Sequence, residues 1–233
     1  MGSTMENLYQ ITYNVDLVLC IDATESMGSI LDMVKNNAIH LYEDVTNAMA
    51  QKNKRIDTLR VRVVAYRDYL ADGEEAMLVT DFFQLPRDVD SFVACVNSIE
   101  AKGGGDEPED GLEALAYAMR SDWNNNGMKK RHVIALWTDA STHPLGYGKK
   151  RNNYPAGMAG DFKELTTWWG IPGTNVGLMN QSAKRLILFA PERESWNTIA
   201  QNWDKVIHQH TLPGNGLAEQ SYASILNVIA NTI

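Results

Sequence analysis

Three short segments of this chain collect oxygen ligands. In Asp22-Ala23-Thr24-Glu25-Ser26, one carboxylate and two hydroxyls alternate directly after a hydrophobic run. A turn there can aim all three at one spot, and an oxygen-only ligand set suits a hard cation such as Mg²⁺, Mn²⁺ or Ca²⁺. The same residues also suit a helix N-cap. In Gly103-Gly104-Gly105-Asp106-Glu107-Pro108-Glu109-Asp110-Gly111, four acids occupy five positions behind three glycines. Acids complement the dipole at a helix start, but four exceed what one cap needs, and their mutual repulsion calls for a counter-ion. Pro108 is expected as the first residue of the following helix. The segment is acidic and lacks the lysine of a phosphate-binding loop. The third segment is Thr138-Asp139, after the run HVIALW. Taken alone, its Asp also reads as a turn residue.

The elements that position these segments follow from hydrophobic periodicity. Val15 to Ile21 is unbroken by alternation and predicts a central strand buried on both faces. Ile30, Val34, Ala38, Leu41, Val45 and Met49 recur at spacings of three and four, which predicts one helix over 30–49. Further strands are expected at Leu59–Tyr66, Asp81–Leu85, His132–Thr138, Arg185–Ala190 and Lys205–His210. Helices are expected over Val89–Ile99, in LEALAYAM, in DFKELTTWW, in SWNTIAQNW and in the closing LAEQSYASILNVIANTI. The third strand follows the second so closely that it is expected to be antiparallel, at an edge. Alternating strands and helices predict an α/β, doubly wound, mainly parallel six-stranded sheet with helices on both faces. Ligands bind beyond the carboxyl ends of strands in such sheets, and all three loops leave strands or enter helices at that edge. One domain is expected over 11–233, with an irregular insertion at about 143–183.

Composition narrows the function. The net charge of −8 argues against a nucleic-acid surface, and no run approaches the roughly 20 apolar residues of a membrane span. Cys20 and Cys95 both sit in apolar runs and read as small buried hydrophobes. Two cysteines are too few for a secreted disulfide framework, so a reducing, cytoplasmic setting is expected. The start has no charged stretch followed by an apolar run, and hence no signal peptide is expected. MGST looks like an expression scar, and MENLYQ resembles a protease-tag site lacking its Phe, so residues 1–10 carry no weight.

Other candidates are weaker. His208 and His210 face one side if they lie on a strand, but no third metal ligand is evident. Trp168-Trp169 would suit a partner-binding patch if exposed, or would pack the insertion onto the body. Arg67-Asp68-Tyr69 lies near the upper rim, as a support for the site or a turn. No nucleophile elbow and no dinucleotide fingerprint is present. A haloacid dehalogenase-type phosphatase would carry Asp where Thr24 stands. The alternative to a binding module is a metal-dependent hydrolase such as a phosphoesterase, for which no general base stands beside the acids. The expectation is therefore a non-enzyme.

Asp22-x-Thr24-x-Ser26, a glycine-rich second loop and Thr138-Asp139, in this order after the right elements, resemble the metal-ion-dependent adhesion site of von Willebrand factor A domains. The resemblance covers roughly Val15 to Ile233. The family pattern is Asp-x-Ser-x-Ser, then a Thr in the second loop, then an Asp in the third. Here Thr24 keeps the hydroxyl of the first Ser, and the second loop has no Thr. That loop is instead similar to the one in the A domains of integrin β chains, where an Asp-x-Pro-Glu stretch gives its Glu to the metal. By this match Glu109 joins Asp22, Thr24, Ser26 and Asp139 as a ligand of Mg²⁺. Asp106 and the Pro108 carbonyl match a secondary cation site. The adjacent integrin site needs an acidic pair where Ser29 and Ile30 stand, so its absence is implied. The resemblance further implies that the ion accepts an Asp or Glu from a partner protein.

Overall fold

The computed structural model describes residues 12–105 and 107–233. Residues 1–11 and Asp106 lie outside the described residues.

The sheet grows around β1 (Thr12–Asp22), in which every residue from Val15 onward is buried. Its side chains alternate between two cores. Leu17, Leu19 and Ile21 enter one, and Val18 and Cys20 the other, so an unbroken apolar run is what this strand requires. β1 pairs in parallel with β2 (Arg55–Tyr66) on one side and with β5 (Lys130–Trp137) on the other. β6 (Lys184–Pro191) and β7 (Val206–Thr211) continue the parallel sheet. Antiparallel β3 (Met77–Val79) and β4 (Phe83–Leu85) share the outer edge of β2. The order is β3-β2-β1-β5-β6-β7, with β4 also on β2. The central strand and the antiparallel edge were expected.

The sheet has seven strands rather than six. The additional strand is β3, whose three residues are too few to display a period of two.

Helices cover both faces. α1 (Gly28–Asn37), α2 (Leu41–Ala50), α3 (Val89–Ser98) and α7 (Tyr222–Thr232) pack on one core. α4 (Gly111–Met119), α5 (Phe162–Trp169) and α6 (Glu194–Asn202) pack on the other. The helix expected over 30–49 is two helices joined by a 3₁₀ turn, Ala38–His40. Asn37 Nδ2 donates to the Met33 carbonyl at 2.8 Å, and a short amide competing for the backbone in this way disfavours a continuous helix. No helix of the described residues is long and apolar enough to cross a membrane.

Between β5 and β6, residues 143–183 form no helix or strand apart from α5. Trp169 is 1% exposed, stacks on Trp203 at 5.4 Å and donates its indole N–H to the Asp204 carbonyl. Trp168 is partly buried against the same core. The pair therefore anchors the insertion and forms no exposed patch. Cys20 is fully buried, while Cys95 is only half-buried, and both are free thiols.

Candidate functional site

Asp22 is the last residue of β1 and is fully buried. Its Oδ1 accepts from the Thr24 amide at 3.0 Å and the Thr24 hydroxyl at 2.6 Å, and its Oδ2 accepts from the Thr138 hydroxyl at 2.7 Å. Ser26 Oγ donates to Asp139 Oδ1 at 2.9 Å. Each proposed hydroxyl ligand thus gives its hydrogen to a carboxylate, which leaves its lone pairs free. Thr24 does not use its side chain to cap the following 3₁₀ turn, so the N-cap alternative does not hold.

The second loop arrives differently from expectation. α4 begins at Gly111, so Pro108 lies before the helix rather than at its first position. Asp110 occupies the N-cap position without making a side-chain cap bond. Glu109 is instead held by backbone pairing to the segment after β5, and Asp110 N–H donates to the Arg67 carbonyl. Glu109 N–H donates to the Ser141 carbonyl, the Glu109 carbonyl accepts from His143 N–H, and Glu109 forms a bridge with Thr142. A helix opening at Pro108 would leave the acids on its first turn, whereas this pairing delivers Glu109 inward.

Glu109 is 4% exposed, and its Oε2 has no hydrogen-bond partner. Burial, then the charges of Asp22, Asp68, Asp72 and Asp110, push its carboxyl up to about 10. Burial also pushes Asp22 up to about 6, against the hydrogen bonds from Thr24 and Thr138. A buried carboxylate oxygen without a donor is costly, and carboxylates that repel one another are relieved by a cation.

Gly104 brings the backbone close to this point. Its φ is +92°, and a Cβ there would overlap the Thr24 side chain and stand 2.7 Å from Glu109 Oε1. Its N–H donates to both Asp72 oxygens, at 3.2 and 3.0 Å. Thr24, Ser26, Glu109 and Asp139 line one open cleft of about 440 Å³ with the three glycines, Glu107 and Gly214. Asp22 lies beneath it through Thr24. The five expected residues are therefore brought together. Asp106, the expected contributor to a secondary site, lies outside the described residues.

Three groups support the site, of which the sequence offered only Arg67 as a candidate. Arg67, left between a support and a turn, is buried and donates to the carbonyls of Ala23, Glu75, Glu100 and Lys102, tying the first loop to the second. Asp72 holds the glycine loop. Gly216, from the far end of the chain, donates its N–H to Asp139 Oδ2 at 2.7 Å and so fixes that carboxylate. His208 and His210 lie 4.3 Å apart, ring to ring, on β7. The His208 Nε2 is engaged with the Ala190 carbonyl, and His210 faces Glu192 at 3.3 Å on the surface.

The chain resembles proteins of varied architecture. It is 28% identical over 143 residues to the alpha-protein kinase vwkA of Dictyostelium discoideum, covering 61% of this chain and 21% of that one. It is 27% identical over 132 residues to the putative ariadne-like RING finger protein R811 of Acanthamoeba polyphaga mimivirus, covering 55% and 11%. The matched region is thus a small part of both relatives. Among solved structures, the pilus adhesin SpaC from Lactobacillus rhamnosus GG superposes with a TM-score of 0.50 at 11% identity, covering 94% of this chain and 30% of that one. At that identity the likeness is one of fold. The von Willebrand factor A domain model matches residues 16–144. That span is more than half of the chain and contains all three loops and the strands that present them, and the chain belongs to the von Willebrand factor A domain family.

Proposed function

We propose that this domain is a divalent-cation-dependent protein-binding module whose Mg²⁺ accepts a carboxylate from a partner protein. The observation that carries the reading is the buried Glu109 carboxylate, one oxygen of which has no partner, in the lining of a cleft that Thr24, Ser26 and Asp139 share. Membership of a family of protein-interaction modules supports it.

The residues divide their work. Thr24 Oγ1 and Ser26 Oγ present neutral oxygens whose lone pairs are free, because the hydroxyls donate to Asp22 and Asp139. Glu109 offers an anionic oxygen. Asp22 and Asp139 sit behind the hydroxyls, where they orient them and add charge. Once bound, Mg²⁺ would supply a Lewis-acidic position for an anionic oxygen. Five protein groups do not fill the six positions of Mg²⁺, and two of the five are neutral. The exposed Ser26 side of the cleft leaves room for a carboxylate to approach. Three acids against two positive charges imply modest affinity for a further anion.

The experiment is a pull-down from a lysate of the source cell with wild type and Asp22→Ala, each with Mg²⁺ and with chelator. The partner is expected only in the wild-type lane with Mg²⁺. Equal retention in all four lanes would place the binding surface elsewhere.

A further inference from the structure

A second group of ligating side chains lies behind the first, and the proposed adhesion site does not use it. Asp68 follows β2, Asp110 precedes α4 and His143 follows β5. All three are buried, at 8%, 0% and 7% exposure. One ligating atom from each lies within 4.8 Å of the other two.

The local bonding leaves one atom of each residue uncommitted to the backbone. Asp68 Oδ1 accepts from the amides of Leu70 and Ala71, while its Oδ2 stands 3.2 Å from His143 Nε2. Asp110 Oδ2 accepts from the Tyr69 amide at 2.6 Å, and its Oδ1, fully buried, has no partner. The His143 ring is stacked on Tyr147 at 4.0 Å with an interplanar angle of 11°, and its backbone N–H is fixed to Glu109. Backbone donors that orient a carboxylate, and a packed imidazole, are what a metal site needs around its ligands. Beside Asp110 stands Glu113. Its Oε1 is held by the Gly146 amide and the Tyr154 hydroxyl, and its Oε2 is also unpartnered.

We propose that Asp68, Asp110 and His143 form a second cation site, which takes a divalent transition ion of the zinc class. One imidazole nitrogen with two carboxylate oxygens suits Zn²⁺, Mn²⁺ or Fe²⁺ better than Mg²⁺ or Ca²⁺, which favour oxygen alone. The charges of the two carboxylates match the two on the ion, and the imidazole adds a neutral ligand. His143 also lines an open cleft of about 590 Å³ with Leu112, Thr142 and Arg193. Glu109 and Asp110 are consecutive residues that serve different neighbours: Glu109 lies against Thr24 and Gly104, Asp110 against Tyr69. The second ion would thus brace the segment that delivers Glu109 to the first.

The competing account is that these carboxyls hold protons and need no ion. The test uses tag-free, metal-stripped protein titrated with Co²⁺ and Zn²⁺ in excess Mg²⁺, followed by calorimetry and the visible Co²⁺ spectrum. Wild type is expected to bind one ion per chain. Asp22→Ala, which addresses the first site, and His210→Gln, which removes the surface histidine pair, are expected to match it. His143→Gln and Asp110→Asn are expected to bind at least about 10-fold more weakly, since loss of even an outer-shell partner costs that much. The Co²⁺ band should change on His143→Gln. Asp110→Asn preserves shape and the bond from Tyr69, so it decides the matter if His143→Gln fails to fold. No bound ion in excess Mg²⁺, or equal affinity in Asp110→Asn, would overturn the proposal. Loss of binding in Asp22→Ala with retention in Asp110→Asn would also overturn it, and would leave the first site standing. Loss in His210→Gln would assign the ion to β7 instead.

Discussion

Glu109→Gln separates the effect of a cation from the effect of the fold. In metal-free protein the Glu109 carboxyl is held at about 10, against an ordinary value of 4.5. At pH 7 it is ionised in the unfolded chain and protonated in the folded one, so folding takes up a proton. The stability this group contributes is complete below pH 4.5 and declines as pH rises towards 10. From 4.5 to 7, at about 1.36 kcal/mol per pH unit, the loss is about 3 kcal/mol. Water in the open cleft screens the site and reduces that to roughly half. Gln needs no proton, so in chelator the variant is expected to be more stable than wild type by about 1.5–3 kcal/mol. At about 2–4 °C per kcal/mol for a chain of this size, its melting temperature rises by roughly 3–12 °C. Mg²⁺ at a hundredfold excess over its dissociation constant stabilises wild type by about 2.7 kcal/mol, and the variant much less. The gap between the two proteins should therefore narrow or reverse when chelator is replaced by Mg²⁺. Thermal melts of both proteins in the two buffers are sufficient. Equal melting temperatures in chelator, or an undiminished response of the variant to Mg²⁺, would refute the reasoning.

Cation affinity should rise with pH. Protons on Asp22, held at about 6, and on Glu109, at about 10, compete with the ion, and binding at pH 7 should release about one proton, read by calorimetry in buffers of different ionisation enthalpy. Gly104→Ala forces a side chain onto Thr24 at φ +92°, which should cost about 1–3 kcal/mol and weaken Mg²⁺ binding; a melt and a Mg²⁺ titration check both. Trp169→Ala removes a fully buried indole and should destabilise the fold by about 3–5 kcal/mol in denaturant titration, while the folded fraction keeps its Mg²⁺ response.

By itself, the sequence determined the central strand, because burial on both faces demands the unbroken run from Val15 to Ile21. It also determined the first and third loops at the carboxyl edge, because each directly follows a parallel strand, whereas the second runs between two helices and is brought there by its pairing with the segment after β5. Short-range bonding was partly legible as well, since Asp22 and Thr24 are two residues apart and their hydrogen bond is local. What the tertiary structure decided is everything that depends on segments distant along the chain. Pro108 does not open α4, because the pairing of Glu109 with Ser141 and His143 outweighs a local preference. The ambiguity of Trp168-Trp169 was resolved by Trp203, 34 residues beyond Trp169, which provides a stacking surface. Gly216 supports Asp139 through a backbone N–H, a group every non-proline residue carries, so no residue type could advertise it. The meeting of Asp68, Asp110 and His143 has the same origin. In their own segments Asp68 reads only as part of a rim turn, Asp110 as one of four acids and His143 as nothing in particular, and only the close packing of three loops around one buried point turns them into a set of ligands.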